Sequence, residues 1–144
     1  MNFENLKPLP HCLCEIDSEG KIYELHDDSD FHGIIYTITN NEIFLIWKYP
    51  SLWFQSQAIR GNDYIDKHNI NLKKPCFISL CFKNVNYLSI SGFDDDFIIE
   101  NHNCLFEISE NFVEGEKGLL FSFESGMEIA IQSDSVSFIY DYKI

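Results

Sequence analysis

The chain has 144 residues with 23 acidic and 10 basic side chains, a formal net charge of −13 and a pI of about 4.5. A field of that sign repels nucleic acid and anionic membranes and attracts basic proteins, so the first two partner classes are excluded. The length fits a single domain, 1–144, and a chain of this size buries about 68–70% of its unfolded surface, so a core forms without disulfides or metal.

No apolar run approaches the roughly 18 residues that read as a membrane span. The opening MNFENLKPLP lacks a basic segment followed by an apolar one, so a cytoplasmic protein without a signal peptide is expected. Five cysteines (Cys12, Cys14, Cys76, Cys81 and Cys104) then read as reduced thiols. Cys12 and Cys14 have one residue between them, closer than zinc-finger spacing. Cys76 and Cys81 are five apart, which puts them on opposite faces of a strand.

Period-two alternation of apolar and polar residues recurs along almost the whole chain. Cys12–Ile16 and Lys21–Leu25 flank Ser18-Glu19-Gly20 as a hairpin. Ile34, Tyr36 and Ile38 share one strand face, and Asn40-Asn41 supplies the next turn. The run from Glu42 to Tyr49 places Ile43, Leu45, Trp47 and Tyr49 together, with Phe44 and Ile46 opposite, so both faces are expected to be covered. Pro50 to Lys74 interrupts the pattern. There Ser51 is a plausible helix cap, and one short helical excursion is expected around residues 51–70.

Phe77–Phe82 reads as another two-sided strand, and Tyr87–Ser91 as a separate one ended by Gly92. Phe97–Ile99 and Cys104–Ile108 flank Asn101-His102-Asn103. In the last third, Leu119, Phe121 and Phe123 alternate with Ser122 and Glu124, and Ser125-Gly126 makes a hairpin turn because glycine supplies positive φ. Met127, Ile129 and Ile131 follow. Ser133-Asp134 reads as a second turn before Val136, Phe138 and Tyr140, giving a three-stranded meander. About ten short strands with turns every eight to twelve residues predict a mainly β fold, an antiparallel β-sandwich or partly open barrel.

Catalytic signatures are missing: there is no Gly-x-Ser-x-Gly elbow, phosphate-cradling glycine loop or His-Glu-x-x-His, and no enzyme activity is expected. The segment Glu24-Leu25-His26-Asp27-Asp28-Ser29-Asp30-Phe31-His32-Gly33 is the most ligand-like. As a calcium loop beginning at Asp28 it fails, because its twelfth position is Thr39 and falls in a strand. His26 and His32, six apart, match no zinc spacing, so neither metal nor cofactor is expected there. A metal-dependent enzyme using His26, Asp28 and His32 is the least favoured reading. A small-ligand site lined by Trp47, Tyr49 and Trp53 is the alternative to a protein-binding role.

Charge is also unevenly spread. From Glu15 to Asp30 seven acids face Lys21 alone, and from Asp94 onward twelve acids face Lys117 and Lys143. Between Lys48 and Lys83 the balance reverses, with Lys48, Arg60, Lys67, Lys73, Lys74 and Lys83 against Asp63 and Asp66. The acidic clusters Asp27, Asp28, Asp30 and Asp94, Asp95, Asp96 are the candidate partner-binding residues. Trp53, beside Tyr49, Pro50 and Phe54, is a candidate aromatic anchor.

The order of Leu25-His26-Asp27, Gly33-Ile34-Ile35-Tyr36-Thr37-Ile38, Ile43-Phe44-Leu45-Ile46, Leu80-Cys81-Phe82-Lys83-Asn84-Val85-Asn86-Tyr87-Leu88-Ser89-Ile90 and Phe121-Ser122-Phe123-Glu124-Ser125-Gly126-Met127-Glu128-Ile129 resembles small bacterial β-rich families. These include immunity proteins of polymorphic toxin and contact-dependent inhibition systems. In such families a Leu-His-Asp opening and a Phe-x-x-Val strand junction recur, and the similarity covers about residues 25–131. Departures are the very acidic Asp27–Asp30 segment and the long aromatic connection from Pro50 to Lys74. The resemblance implies a bacterial, cytoplasmic inhibitor that binds a cognate toxin domain. A nuclease toxin needs a basic surface, which an acidic binder can occupy as a decoy.

Overall fold

A computed structural model describes residues 1–8, 14–26, 29–49, 76–92, 104–113 and 116–143. Within them the chain forms ten strands and no helix: β1 (Asn2–Phe3), β2 (Lys7–Pro8), β3 (Glu15–Ser18), β4 (Lys21–Glu24), β5 (Asp30–Thr37), β6 (Glu42–Tyr49), β7 (Cys76–Ser91), β8 (Leu105–Val113), β9 (Glu116–Phe123) and β10 (Glu128–Ile139). The expected helical excursion at 51–70 lies outside the described residues, as does the segment Phe97–Ile99.

Six strands pair antiparallel in the order β5-β6-β7-β10-β9-β8. The short β1 adds itself parallel to β10, pairing Asn2 and Phe3 with Ser135 and Val136. β7 holds one edge of β10 over most of its length, while β9 holds the other only at Glu128–Ile131. β1 takes up that second edge where β9 leaves it. A separate antiparallel sheet runs β2-β3-β4. Its β3–β4 turn has positive φ at both Glu19 and Gly20, the primed geometry that matches strand twist. Asp17 caps the turn by accepting from the Gly20 N–H.

The large sheet rolls over its own core. Neighbouring strands lie about 4.8 Å apart, so β5 and β9, four steps apart, would be separated by about 19 Å in a flat sheet. Instead Phe31 on β5 meets Phe123 on β9 with ring centroids 4.8 Å apart. Trp47 on β6 likewise reaches Phe121 on β9 at 6.1 Å. β5 and β8 are not paired with each other, so the sheet is not closed into a barrel. The architecture is all-β and sandwich-like.

The apolar rows of β6, β9 and β10 are buried, whereas Tyr36 and Ile38 of the row that begins at Ile34 are exposed. Ile43, Leu45 and Trp47 share one core with Ile78, Leu80, Phe82, Leu119, Phe121, Phe123, Ile129 and Ile131. On the other face of β6, Ile46 is also buried, and Phe44 stacks on Tyr142 at 5.5 Å. That strand is two-sided, as its continuous apolar run predicts.

Two expectations are corrected. Phe77–Phe82 and Tyr87–Ser91 are one sixteen-residue strand, because the ladder to β10 continues past the left-handed Asn84 with Asn86 bulged out. Ser133-Asp134 is not a turn but lies within β10. The true third strand of the C-terminal meander is β8, paired with β9. In β10 the buried row passes from Ile129 and Ile131 to Val136 and Phe138, an odd step that breaks alternation. The irregularity between Gln132 and Ser133 accommodates it, and the Ser133 hydroxyl donates to Ser135 O at 2.9 Å. Polar residues that read as a turn are satisfied inside a bulged strand.

Candidate functional site

A second bulge builds the most chemically varied corner of the molecule. In the β8–β9 ladder Leu105 pairs with Phe123 and Glu107 with Ser122, so Phe106 is left as the extra residue. Bulges free backbone groups from the ladder. Here the Leu105 carbonyl accepts from His26 Nδ1 at 2.5 Å, and the Phe106 carbonyl lies 2.7 Å from the Cys14 thiol, which donates to it. These contacts tie the end of β4 and the start of β3 to the start of β8.

His26 sits just beyond β4, where its N–H donates to the Glu24 carboxylate at 2.7 Å and the N–H of Leu25 donates to Cys14 O at 2.9 Å. Cys104 sits just before β8, with its carbonyl accepting from the Glu124 N–H at 2.9 Å. Glu124 opens the β9–β10 turn, whose shape is set by Gly126 at φ 91° and by a Gly126 N–H to Phe123 O bond. The result is a contiguous trio. Cys104 Sγ lies 3.5 Å from His26 Nδ1, and His26 Nε2 lies 3.7 Å from Glu124 Oε1. His26 and Glu124 keep 28% and 39% of their side-chain surface, so the trio is reachable from solvent.

Sequence reasoning singled out His26 but paired it with the wrong residues. His32 is the bulged residue of β5 and stands edge-on to Phe77 at 5.1 Å. Its chemistry is therefore engaged elsewhere, and Asp28 lies outside the described residues. The partners of His26 come instead from 78 and 98 positions away, a closure no local spacing encodes.

Among the described cysteines, Cys14, Cys76, Cys81 and Cys104, there is no disulfide, and Cys76 and Cys81 are chemically quiet. Burial, aided by the Asp141 charge, pushes the Cys76 thiol up, and burial with Glu42 does the same to Cys81. Neither supplies a thiolate nucleophile near neutrality. As expected, the two face opposite sides of β7: Cys76 belongs to the core, whereas Cys81 pairs with Phe44 and Ser137 across the other face.

Trp47 is fully buried between Phe31 and Phe121, so it is a core residue and not the wall of a ligand pocket. Trp53 lies outside the described residues. The described hollows are open to solvent. One of about 530 Å³ is lined by Met1, Asn86, Lys117, Gln132, Ser133 and Asp134, and another of about 450 Å³ lies along Glu4–Lys7, Asp17, Glu19 and Gly20. Neither has the apolar lining of a typical small-molecule site.

Of the candidate partner-binding residues, Asp30 begins β5, is exposed, and stands opposite Lys48 in the β5–β6 register. Asp27, Asp28, Asp94, Asp95 and Asp96 lie outside the described residues. No described acidic side chain is buried. Lysine pairing is peripheral: Lys7–Asp17, Lys117–Glu110 and Lys143–Asp141 are all solvent-facing. Among the described residues the negative charge is therefore a surface property. Comparison with family models, curated proteins and solved structures finds no match to this chain.

Proposed function

We propose that the chain is a binding module that engages a basic protein domain through its acidic surface and blocks it, in the manner of an immunity protein against a nuclease toxin. The carrying observation is the net charge of −13 borne on a β scaffold whose described acids all reach solvent. A fixed scaffold with a one-signed surface raises association with an oppositely charged partner by about 10–10³-fold. Asp27, Asp28, Asp30, Asp94, Asp95 and Asp96 are assigned as steering or contact residues, and Trp53 as an anchor. Binding, not catalysis, is the role, and the bacterial cytoplasm is the compartment that this role implies.

The test is co-expression with a candidate basic nuclease toxin domain, such as one that a neighbouring gene encodes, followed by measurement of association rates against salt. Growth rescue and a rate that falls steeply with salt are expected. Reversing Asp27, Asp28 and Asp30 to lysine should slow association at least about tenfold at low salt and flatten its salt dependence. Rescue by the reversed variant with unchanged rates would sink the decoy reading.

A further inference from the structure

We propose that His26, Cys104 and Glu124 form a binding site for one zinc ion, with the fourth position left to water or to a ligand from a partner. One donor atom from each residue lies within 4.8 Å of the others. In a tetrahedral site with bonds of about 2.0–2.3 Å, donors sit about 3.3–3.7 Å apart. His26 Nε2 and Glu124 Oε1, at 3.7 Å, already have that spacing. Cys104 Sγ lies 3.5 Å from His26 Nδ1, so a side-chain rotation has to carry it toward the Nε2 side of the ring.

The surroundings prepare the histidine for this task. Its Nδ1 proton goes to the Leu105 carbonyl freed by the bulge, which orients the ring and turns Nε2 toward Glu124. A backbone carbonyl behind a metal-binding imidazole is the usual supporting arrangement. The position between Nε2 and the carboxylate suits a cation, a proton in metal-free protein or a metal ion that displaces it. Thiolate, imidazole and carboxylate together select zinc over calcium or magnesium, which take oxygen alone. The backbone bonds from Glu124 to Cys104 and from Leu25 to Cys14 hold the three donors on separate, tied segments. Occupancy would cross-link the small sheet, the start of β8 and the β9–β10 turn, whatever the protein binds.

Titration of the reduced, metal-free full chain with cobalt(II), followed by displacement with zinc, tests the site. A near-ultraviolet sulfur-to-cobalt charge-transfer band is expected in the parent chain and in Cys14→Ser, and is expected to vanish in Cys104→Ser. His26→Gln and Glu124→Gln should each weaken zinc at least about tenfold. Zinc at a hundred times its Kd should shift the folding equilibrium of the parent chain about a hundredfold toward the native state. Should Cys104→Ser fail to fold, zinc-dependent slowing of alkylation at Cys104 in the parent chain gives the same information. A parent chain with no charge-transfer band, a band that survives Cys104→Ser, or zinc affinity unchanged in His26→Gln would overturn the proposal and leave an imidazolium–carboxylate pair only.

Discussion

Trp47 and His26 both meet residues far along the chain, yet the two regions around them are built differently. Around Trp47 the contacts are rings on facing rows: Phe31 at 5.2 Å and Phe121 at 6.1 Å, with no described polar partner for its buried indole N–H. Around His26 the contacts are directional and polar, reached through backbone carbonyls that a bulge releases. The first region depends on strand periodicity and volume. The second depends on where β4 and β9 end and β8 begins. The difference teaches that the sheet's apolar rows set the fold, while its irregularities set what chemistry it presents.

The strongest way to break the apolar region is Trp47→Ala. Deleting a fully buried large ring leaves a cavity, and stability should fall by about 3–5 kcal/mol in urea unfolding. Trp47→Phe is the sharper comparison. It also loses ring volume but removes the indole donor, whose burial without a partner costs about 1–3 kcal/mol. It should therefore be distinctly milder than Trp47→Ala, and equal losses would mean that the N–H is satisfied.

Next in size is Gly92→Ala. Gly92 holds φ 85°, and a Cβ there would clash with the Gly126 carbonyl oxygen. Backbone strain of this kind costs about 1–3 kcal/mol before the clash is counted. The clash falls on the very turn that carries Glu124. Loss of stability together with weaker coupling of His26 to Glu124 is expected in thermal melts of the single and combined variants. A Gly92→Ala protein as stable as its parent would show that the turn gives way freely.

Which parts were legible in the sequence follows from the same contrast. Alternation of Leu119, Phe121 and Phe123, or of Ile43, Leu45 and Trp47, encodes buried rows directly, so the all-β class and most of the core could be read. Strand limits could not. Asn84 and Asn86 in β7, and Ser133 and Asp134 in β10, are polar enough to read as turns, but the ladder resumes on either side of the bulge at Asn86 and carries both strands through them. The trio at His26 was hidden for a related reason. Its members lie on three separate elements, and the bulge at Phe106 that aims them has no glycine or proline to announce it. His26 was visible as an isolated ligand type, but its partners were not.

Titration separates the regions again. With their thiols raised by burial, Cys76 and Cys81 favour the neutral form in the folded protein over the unfolded one. Their contribution to stability is fully present below the ordinary thiol value of 9.0 and is lost as pH rises through the higher folded values. Unfolding free energy should therefore decline above about pH 9, and Cys76→Ser with Cys81→Ser should flatten that decline. In alkylation at lower pH, Cys14 and Cys104, both partly exposed, should react ahead of Cys76 and Cys81.

The smallest effect makes the finest distinction. Lys117 and Glu110 form a 2.8 Å pair between neighbouring strands, with about half of each side chain in solvent. A double-mutant cycle there should give a coupling below about 0.5 kcal/mol that fades with salt, as for exposed pairs in general. The His26–Glu124 contact is longer, at 3.7 Å, but less exposed, and its histidine is oriented by a second bond to Leu105 O. Distance alone would rank it weaker. If orientation by the bulge matters, its coupling in metal-free buffer should equal or exceed that of Lys117–Glu110 and resist salt better. A smaller, equally salt-sensitive coupling would reduce the corner to ordinary surface charge and confine the molecule's specific long-range closure to its apolar rows.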